Sequence, residues 1–203
     1  FIIDERGHLS RYCADASEPY ALSHDEVYDI KADVWGRIWI ATYGGGINYV
    51  EEDSKGMLRF IHAGNQLTTY PIRDFAQVRT ITSDGRGTMY LSTTDGLVTF
   101  SSRFSNPKEI CFYTTKQSVD KSAHLLTADV LQTMVTKKGE VYVLTLGGGV
   151  QRMTSPTPLA DNLTFDILSQ FNMEEGRVQA VVEDKDGRLW MFRENSINCY
   201  NPT

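Results

Sequence analysis

The sequence is poor in the features that mark several large classes of protein. Only three cysteines occur in 203 residues, Cys13, Cys111 and Cys199, far apart and with no C-x-x-C, so the chain carries neither a disulfide framework nor a zinc site. No apolar run approaches the roughly 20 residues needed to cross a bilayer, and no membrane insertion is expected. Charges of one sign never run five or six together, and 20 Lys and Arg against 26 Asp and Glu leave a net charge of −6, which argues against nucleic-acid contact. His8, His24, His62 and His124 are scattered without metal-ligand spacing. Neither H-E-x-x-H, nor a phosphate-binding loop, nor a dinucleotide fingerprint, nor a Ser-His-Asp arrangement is present, so no metal or cofactor is expected. What is there is globular: 41% hydrophobic, 23% charged and 11% aromatic residues, enough to bury a sizeable core. The opening Phe1-Ile2-Ile3-Asp4, without Met or a signal-like segment, reads as the start of an excised piece.

One pattern recurs four times. The segments are VYDIKADVWGRIWIATYGGGINY from Val27, VRTITSDGRGTMYLSTTDGLVTF from Val78, VLQTMVTKKGEVYVLTLGGGVQRM from Val130 and VQAVVEDKDGRLWMFRENSINCY from Val178. A glycine stands nine residues after each opening valine (Gly36, Gly87, Gly139, Gly187), and a large aromatic three residues later (Trp39, Tyr90, Tyr142, Trp190). Each copy reads as a hairpin, a Gly-rich connection and a short third strand. A more variable fourth apolar patch follows at Leu58–His62, Ile110–Tyr113 and Leu163–Leu168.

Four short strands in a period of about 50 residues, with no helical periodicity, predict an all-β fold made of β-propeller blades. The expected divisions are 1–26, the end of a preceding blade plus a linker loop; 27–77, 78–129 and 130–177, three blades; and 178–203, an incomplete blade. About four repeats point to part of a larger propeller; a closed four-bladed ring and two chains forming an eight-bladed ring are the alternatives. Cut faces would expose apolar surface, so self-association or a dimer through propeller faces is expected. The repeated aromatics are expected between blades rather than in a sugar-stacking ladder.

The segments DVWGRIWIATYGGGINY and DKDGRLWMFRENSINCY, with the preceding VYDI and VQAVVE, resemble the two-component-regulator propeller repeat. That repeat is typical of the periplasmic sensor halves of hybrid two-component histidine kinases in gut Bacteroidetes, Bacteroides included. The third copy departs at Lys137-Lys138-Gly139-Glu140, and the fourth at Arg193-Glu194-Asn195-Ser196. The resemblance implies seven-bladed parent propellers, a periplasmic location, and signalling through a kinase and DNA-binding modules that lie outside these residues. It further implies oligosaccharide ligands. On this reading the segment senses and is not itself an enzyme.

In a propeller, the loops entering the innermost strand and those joining second to third strands ring one mouth of the central channel. Here the four copies differ, and planar hydrogen-bonding groups beside aromatics suit an oligosaccharide. The candidates from these loops are Tyr43, Arg73, Asp74, His124, Asp129, Glu175, Arg177 and Arg193, joined by Arg79 and Gln132 on the inner strands. Strand alternation places Asp29, Arg79, Gln132 and Gln179 toward the channel. The plainer reading is a solvated rim. Two other functions are open: a glycan-cleaving propeller enzyme using two of Glu26, Asp74, Asp129 and Glu175 as paired carboxylates, and a protein-interaction scaffold. The Asp184-Lys185-Asp186-Gly187 turn lacks the remaining ligands of a calcium loop, and the glycine triplets precede no helix.

Overall fold

The computed structural model describes residues 1–117, 124–168 and 177–201. Apart from two short 3-10 turns, its regular structure is all strand. The first blade orders β3 (Val27–Ala32), β4 (Ile38–Thr42), β5 (Gly46–Glu52) and β6 (Leu58–His62) into one antiparallel sheet. The second contains β7 (Val78–Ser83), β8 (Thr88–Thr93), β9 (Gly96–Ser101) and β10 (Phe112–Thr114), and the third β11 (Val130–Val135), β12 (Val141–Thr145), β13 (Gly149–Met153) and β14 (Phe165–Ile167). The last has β15 (Val178–Glu183), β16 (Leu189–Arg193) and β17 (Ile197–Tyr200). Ahead of them β1 (Ile2–Ile3) and β2 (Leu9–Ser10) form a separate hairpin.

In three of the four blades the turn from first to second strand is fixed by the aspartate of the D-x-x-G pattern. Asp33 Oδ1 accepts the amides of Trp35 and Arg37, Asp84 Oδ1 those of Arg86 and Thr88, and Asp184 Oδ1 those of Asp186 and Arg188. The glycine after them takes the left-handed conformation, φ 81° at Gly36 and 82° at Gly187, that a side chain would strain. The third blade has Thr136 instead, whose hydroxyl accepts only the Glu140 amide.

Between blades, the repeated aromatics are the core. Trp39 is fully buried, its ring centroid 4.8 Å from Phe100 of the second blade and 5.1 Å from Tyr49. Tyr90 and Tyr142 are equally enclosed, whereas Trp190 is half-buried on the last blade. The two outward faces of the four-blade arc carry exposed apolar residues: Ile30 and Ile38 on the first blade, Val182, Phe192 and Ile197 on the last.

The innermost strands of successive blades pack on one another, and every one is interrupted at its start. The register skips a residue between Val27 and Asp29, Val78 and Thr80, Val130 and Gln132, and Val178 and Ala180. Such a bulge turns the extra residue out of the ladder. It also separates inner-strand polar residues that were expected together on the channel side. Asp29 and Gln132 stand after the bulge and reach the next blade: Asp29 Oδ2 accepts the Ile81 amide at 2.8 Å, while Gln132 accepts from the Val181 amide at 3.1 Å and donates to its carbonyl at 2.9 Å. At the same place in the second blade the short Thr80 has a buried hydroxyl without a partner among the described residues. Gln132→Ala should therefore cost about 1–3 kcal/mol, because it strands the Val181 amide, whereas Thr80→Ala should be nearly neutral or stabilising. Urea midpoints of the two variants check the contrast.

Stability should also depend on pH with one sign. Amides hold Asp4 (chiefly that of His8) and Asp53 (chiefly that of Met57) below the usual carboxylate range, and the Trp190 indole does so for Asp184. Their contribution is present above the unfolded value of about 3.9 and lost as pH falls below it. Burial lowers the His62 imidazole, so its neutral form is favoured in the fold and stability is lost as pH falls below about 6.5. The urea midpoint should therefore decline from about pH 6.5 downward and steepen below about 4. His62→Asn should flatten only the upper part.

Candidate functional site

Strand order fixes two faces of the arc. Connections from second to third strand and entries into the innermost strand lie on one face, which forms the mouth; the hairpin turns from first to second strand lie on the other. The entry and the connection of each of the first three blades are tied by a repeated backbone bond, Tyr43 N–H to Glu26 carbonyl (2.8 Å), Thr94 to Gln77 (3.3 Å) and Leu146 to Asp129 (2.7 Å). Tyr43 also bridges to Gln77 of the next blade's entry, and the amides of Gly44 and Gly46 both donate to the Ala76 carbonyl. A Cβ on Gly46, at φ 71°, would stand 2.5 Å from the Tyr70 ring, so the glycine triplet serves this close approach.

On this scaffold three blades contribute to one cluster. The bulge residue of the first blade, Tyr28, stacks on Tyr43 with centroids 4.6 Å apart and planes within 15°. The bulge residue of the second blade, Arg79, places its guanidinium carbon 5.6 Å from the Tyr43 ring. Its Nε and Nη2 donate to the two oxygens of Asp129, at 3.1 and 3.2 Å, from the entry of the third blade. Tyr28 is 53% exposed, so an aromatic surface lies open beside a charge-assisted pair. The bulge residue of the last blade is the exposed Gln179.

Of the ten candidates, Tyr43, Arg79 and Asp129 meet in this cluster. Gln132 is taken up by the Val181 backbone. Asp74 pairs with Lys116 at 2.8 Å, and Arg73 beside it is exposed. His124 lines a small cleft with Asp95, Lys116 and Leu163, its Nε2 buried without a partner, and Gln151 holds its backbone carbonyl. Arg193 occupies the place of the buried threonines Thr42, Thr93 and Thr145 and donates to Asn198 at 3.1 Å. Arg177 is exposed, and Glu175 lies outside the described residues. Tyr28 escaped the sequence reading. Its signal was the position after the opening valine, where the copies read Tyr28, Arg79, Leu131 and Gln179. Among the described residues no group of His, Cys, Asp and Glu could hold a metal ion.

The comparisons agree with this architecture. Residues 21–44 match the family described as "Two component regulator propeller", which supports the resemblance seen in the repeats. A search of curated proteins returns no match. Among solved structures, the extracellular domain of the B. thetaiotaomicron protein BT4673, assigned to a one component system, is similar with TM-score 0.66 and 21% identity, over 98% of this chain and 26% of that one. The extracellular domain of BT3049 from the same organism, assigned to a hybrid two component system, gives TM-score 0.61 and 20% identity over 93% of this chain and 23% of that one. Virginiamycin B lyase from Staphylococcus aureus gives TM-score 0.53 and 14% identity over 88% of this chain and 56% of that one. The chain thus spans about a quarter of the length of the sensor ectodomains it resembles. The propeller fold is common to all three. Among the described residues no helix is long and apolar enough to cross a membrane.

Proposed function

We propose that this chain is a ligand-sensing propeller segment of a hybrid two-component sensor, periplasmic in location, that binds oligosaccharide at the Tyr28–Tyr43–Arg79–Asp129 mouth. It signals to a kinase carried elsewhere in a longer, seven-bladed-propeller parent. The carrying observation is that aromatic surface and bidentate ion pair come from three different blades at the point where the repeats diverge. The family match and the likeness to extracellular domains support the sensor class. A sugar ring offers an apolar face to Tyr28 and hydroxyls that both donate and accept to Arg79 and Asp129.

The lyase likeness keeps an enzyme in view. The Asp74 and Asp129 carboxylates are each bound to a cation, Lys116 and Arg79, in separate places, rather than facing one another across a cleft. The exposed apolar faces of the first and last blades support association with a further propeller surface, either more blades or a second copy. A thermal-shift screen of the chain against plant and host oligosaccharides tests the sensing reading: a matching glycan should raise Tm with the logarithm of its concentration above Kd, and this gain should shrink in Arg79→Ala. No rise with any glycan in the full ectodomain overturns it.

A further inference from the structure

The seam between the second and third blades is closed differently from that between the first and second. Six and twelve residues after the opening valine stand Asp33 and Trp39 in the first blade, Asp84 and Tyr90 in the second, and Asp184 and Trp190 in the last. In the two tryptophan blades the indole N–H donates to the outer carboxylate oxygen, at 3.0 and 2.9 Å. A phenol has no N–H at that place. Asp84 therefore accepts its two turn amides on Oδ1 and, among the described residues, no bond on Oδ2.

The first seam is further sealed by Phe104 of the β9–β10 connection, which packs 5.5 Å from Tyr49 and lies under Arg37 at 4.0 Å. The matching β13–β14 connection begins Thr154-Ser155-Pro156 and offers no aromatic. A cleft of about 530 Å³ remains on the face opposite the mouth, within the size range of small-ligand sites.

Glu140 in its lining accepts from the Tyr142 hydroxyl at 3.3 Å, but other polar groups there are unpaired among the described residues. Tyr90 is 2% exposed, yet its hydroxyl has no hydrogen-bond partner among the described residues and lines the cleft. The Arg86 guanidinium likewise makes no hydrogen bond or ion pair among them. Glu140 and Arg152 face each other across 3.8 Å, and Arg152 is also held by Asp166 at 3.5 Å. Two cations and two carboxylates balance in the lining, with donor, acceptor and hydroxyl groups side by side and prolines forming the wall. A charged ligand would leave that balance broken, whereas a polyhydroxylated one can accept from Arg86, donate to Asp84 Oδ2 and do either with Tyr90.

We propose that the Asp84–Arg86–Tyr90–Glu140 cleft is a second saccharide site, distinct from the mouth, that takes a neutral sugar segment of one or two residues. It stands independently of the mouth, sharing none of its residues.

The test is amide NMR of the full chain with a panel of cellobiose, xylobiose, mannobiose and galactobiose at millimolar concentration. At least one neutral disaccharide should shift the amides of Arg86, Gly139 and Ser155. Tyr90→Phe, which keeps the ring and breaks no existing bond, should weaken that binding about 5–10-fold, and Arg86→Ala about 10-fold. The shifts should persist in Arg79→Ala, which disables the mouth, so failure at one site is separable from failure at the other. The proposal is overturned if no panel member shifts these amides, if digalacturonate alone does so, or if Tyr90→Phe and Arg86→Ala leave the affinity unchanged with Tm preserved.

Discussion

Trp39→Ala should lower the stability of the chain by about 3–5 kcal/mol, the largest loss expected of any single substitution. The side chain is fully buried and touches the rings of Tyr49 in its own blade and of Phe100 and Phe104 across the seam. Part of the loss is polar. Asp33 is itself buried, with the indole as the side-chain donor to its Oδ2. Trp39→Phe, which restores most of the apolar bulk but no N–H, should still cost about 1–3 kcal/mol for the carboxylate left without that donor. The equivalent Trp190→Phe should cost less, because Trp190 and Asp184 are partly solvated on the last blade. Urea denaturation of the three variants measures all of this. Equal losses at Trp39 and Trp190 would contradict the view that burial at a seam sets the value of the Asp–Trp pair.

Arg79→Ala should reduce oligosaccharide affinity by about 10–100-fold while costing little stability. The pair it forms with Asp129 is about one quarter exposed on both sides, which in a folding sense is worth on the order of 1 kcal/mol or less. In a complex the same groups are shielded by the sugar, and hydrogen bonds to charged partners are then worth about 1.5–3 kcal/mol. Removing the guanidinium also leaves Asp129 without its cation under the ligand. Tyr43→Ala should act differently, by removing the ring against which both Tyr28 and Arg79 rest, with a loss of about 10-fold. Calorimetric titration of a glycan found by screening reads both values. Full affinity in Arg79→Ala would move the site away from the mouth.

The blade pattern was legible because it rests on spacings that the backbone imposes. A valine, a turn glycine nine residues on and an aromatic twelve residues on mark the inner strand, the hairpin and the seam in every copy, and the strands observed begin at those valines.

The candidate site was legible only in part, and the bulge is the reason. Taking the polar residues of the inner strands as one set grouped Asp29 and Gln132, two residues after their valines, with Arg79 and Gln179, one residue after theirs. The skipped register puts the first two against the next blade's backbone and leaves the position before them, held by Tyr28 and Arg79, on the mouth. A bulge one residue after a valine has no composition signal of its own. Long-range partners were equally hidden. Lys116 follows β10 and reaches Asp74 across 42 residues, and Phe104 stands in a connection whose counterpart in the third blade has no aromatic. Comparison between copies does carry a signal at the seam cleft: a tyrosine where two blades have tryptophan marks the aspartate whose outer oxygen accepts no bond among the described residues.

Native mass spectrometry of the chain with a panel of plant and host oligosaccharides tests the central claim most directly, since one spectrum reports assembly, adducts and cleaved products together. The account predicts an intact glycan adduct on the wild-type chain, no shortened glycans, and a weaker adduct in Arg79→Ala, with any adduct that remains there removed by the further change Arg86→Ala. New, shorter glycans that persist in Arg79→Ala would contradict it and make the propeller an enzyme with a site elsewhere.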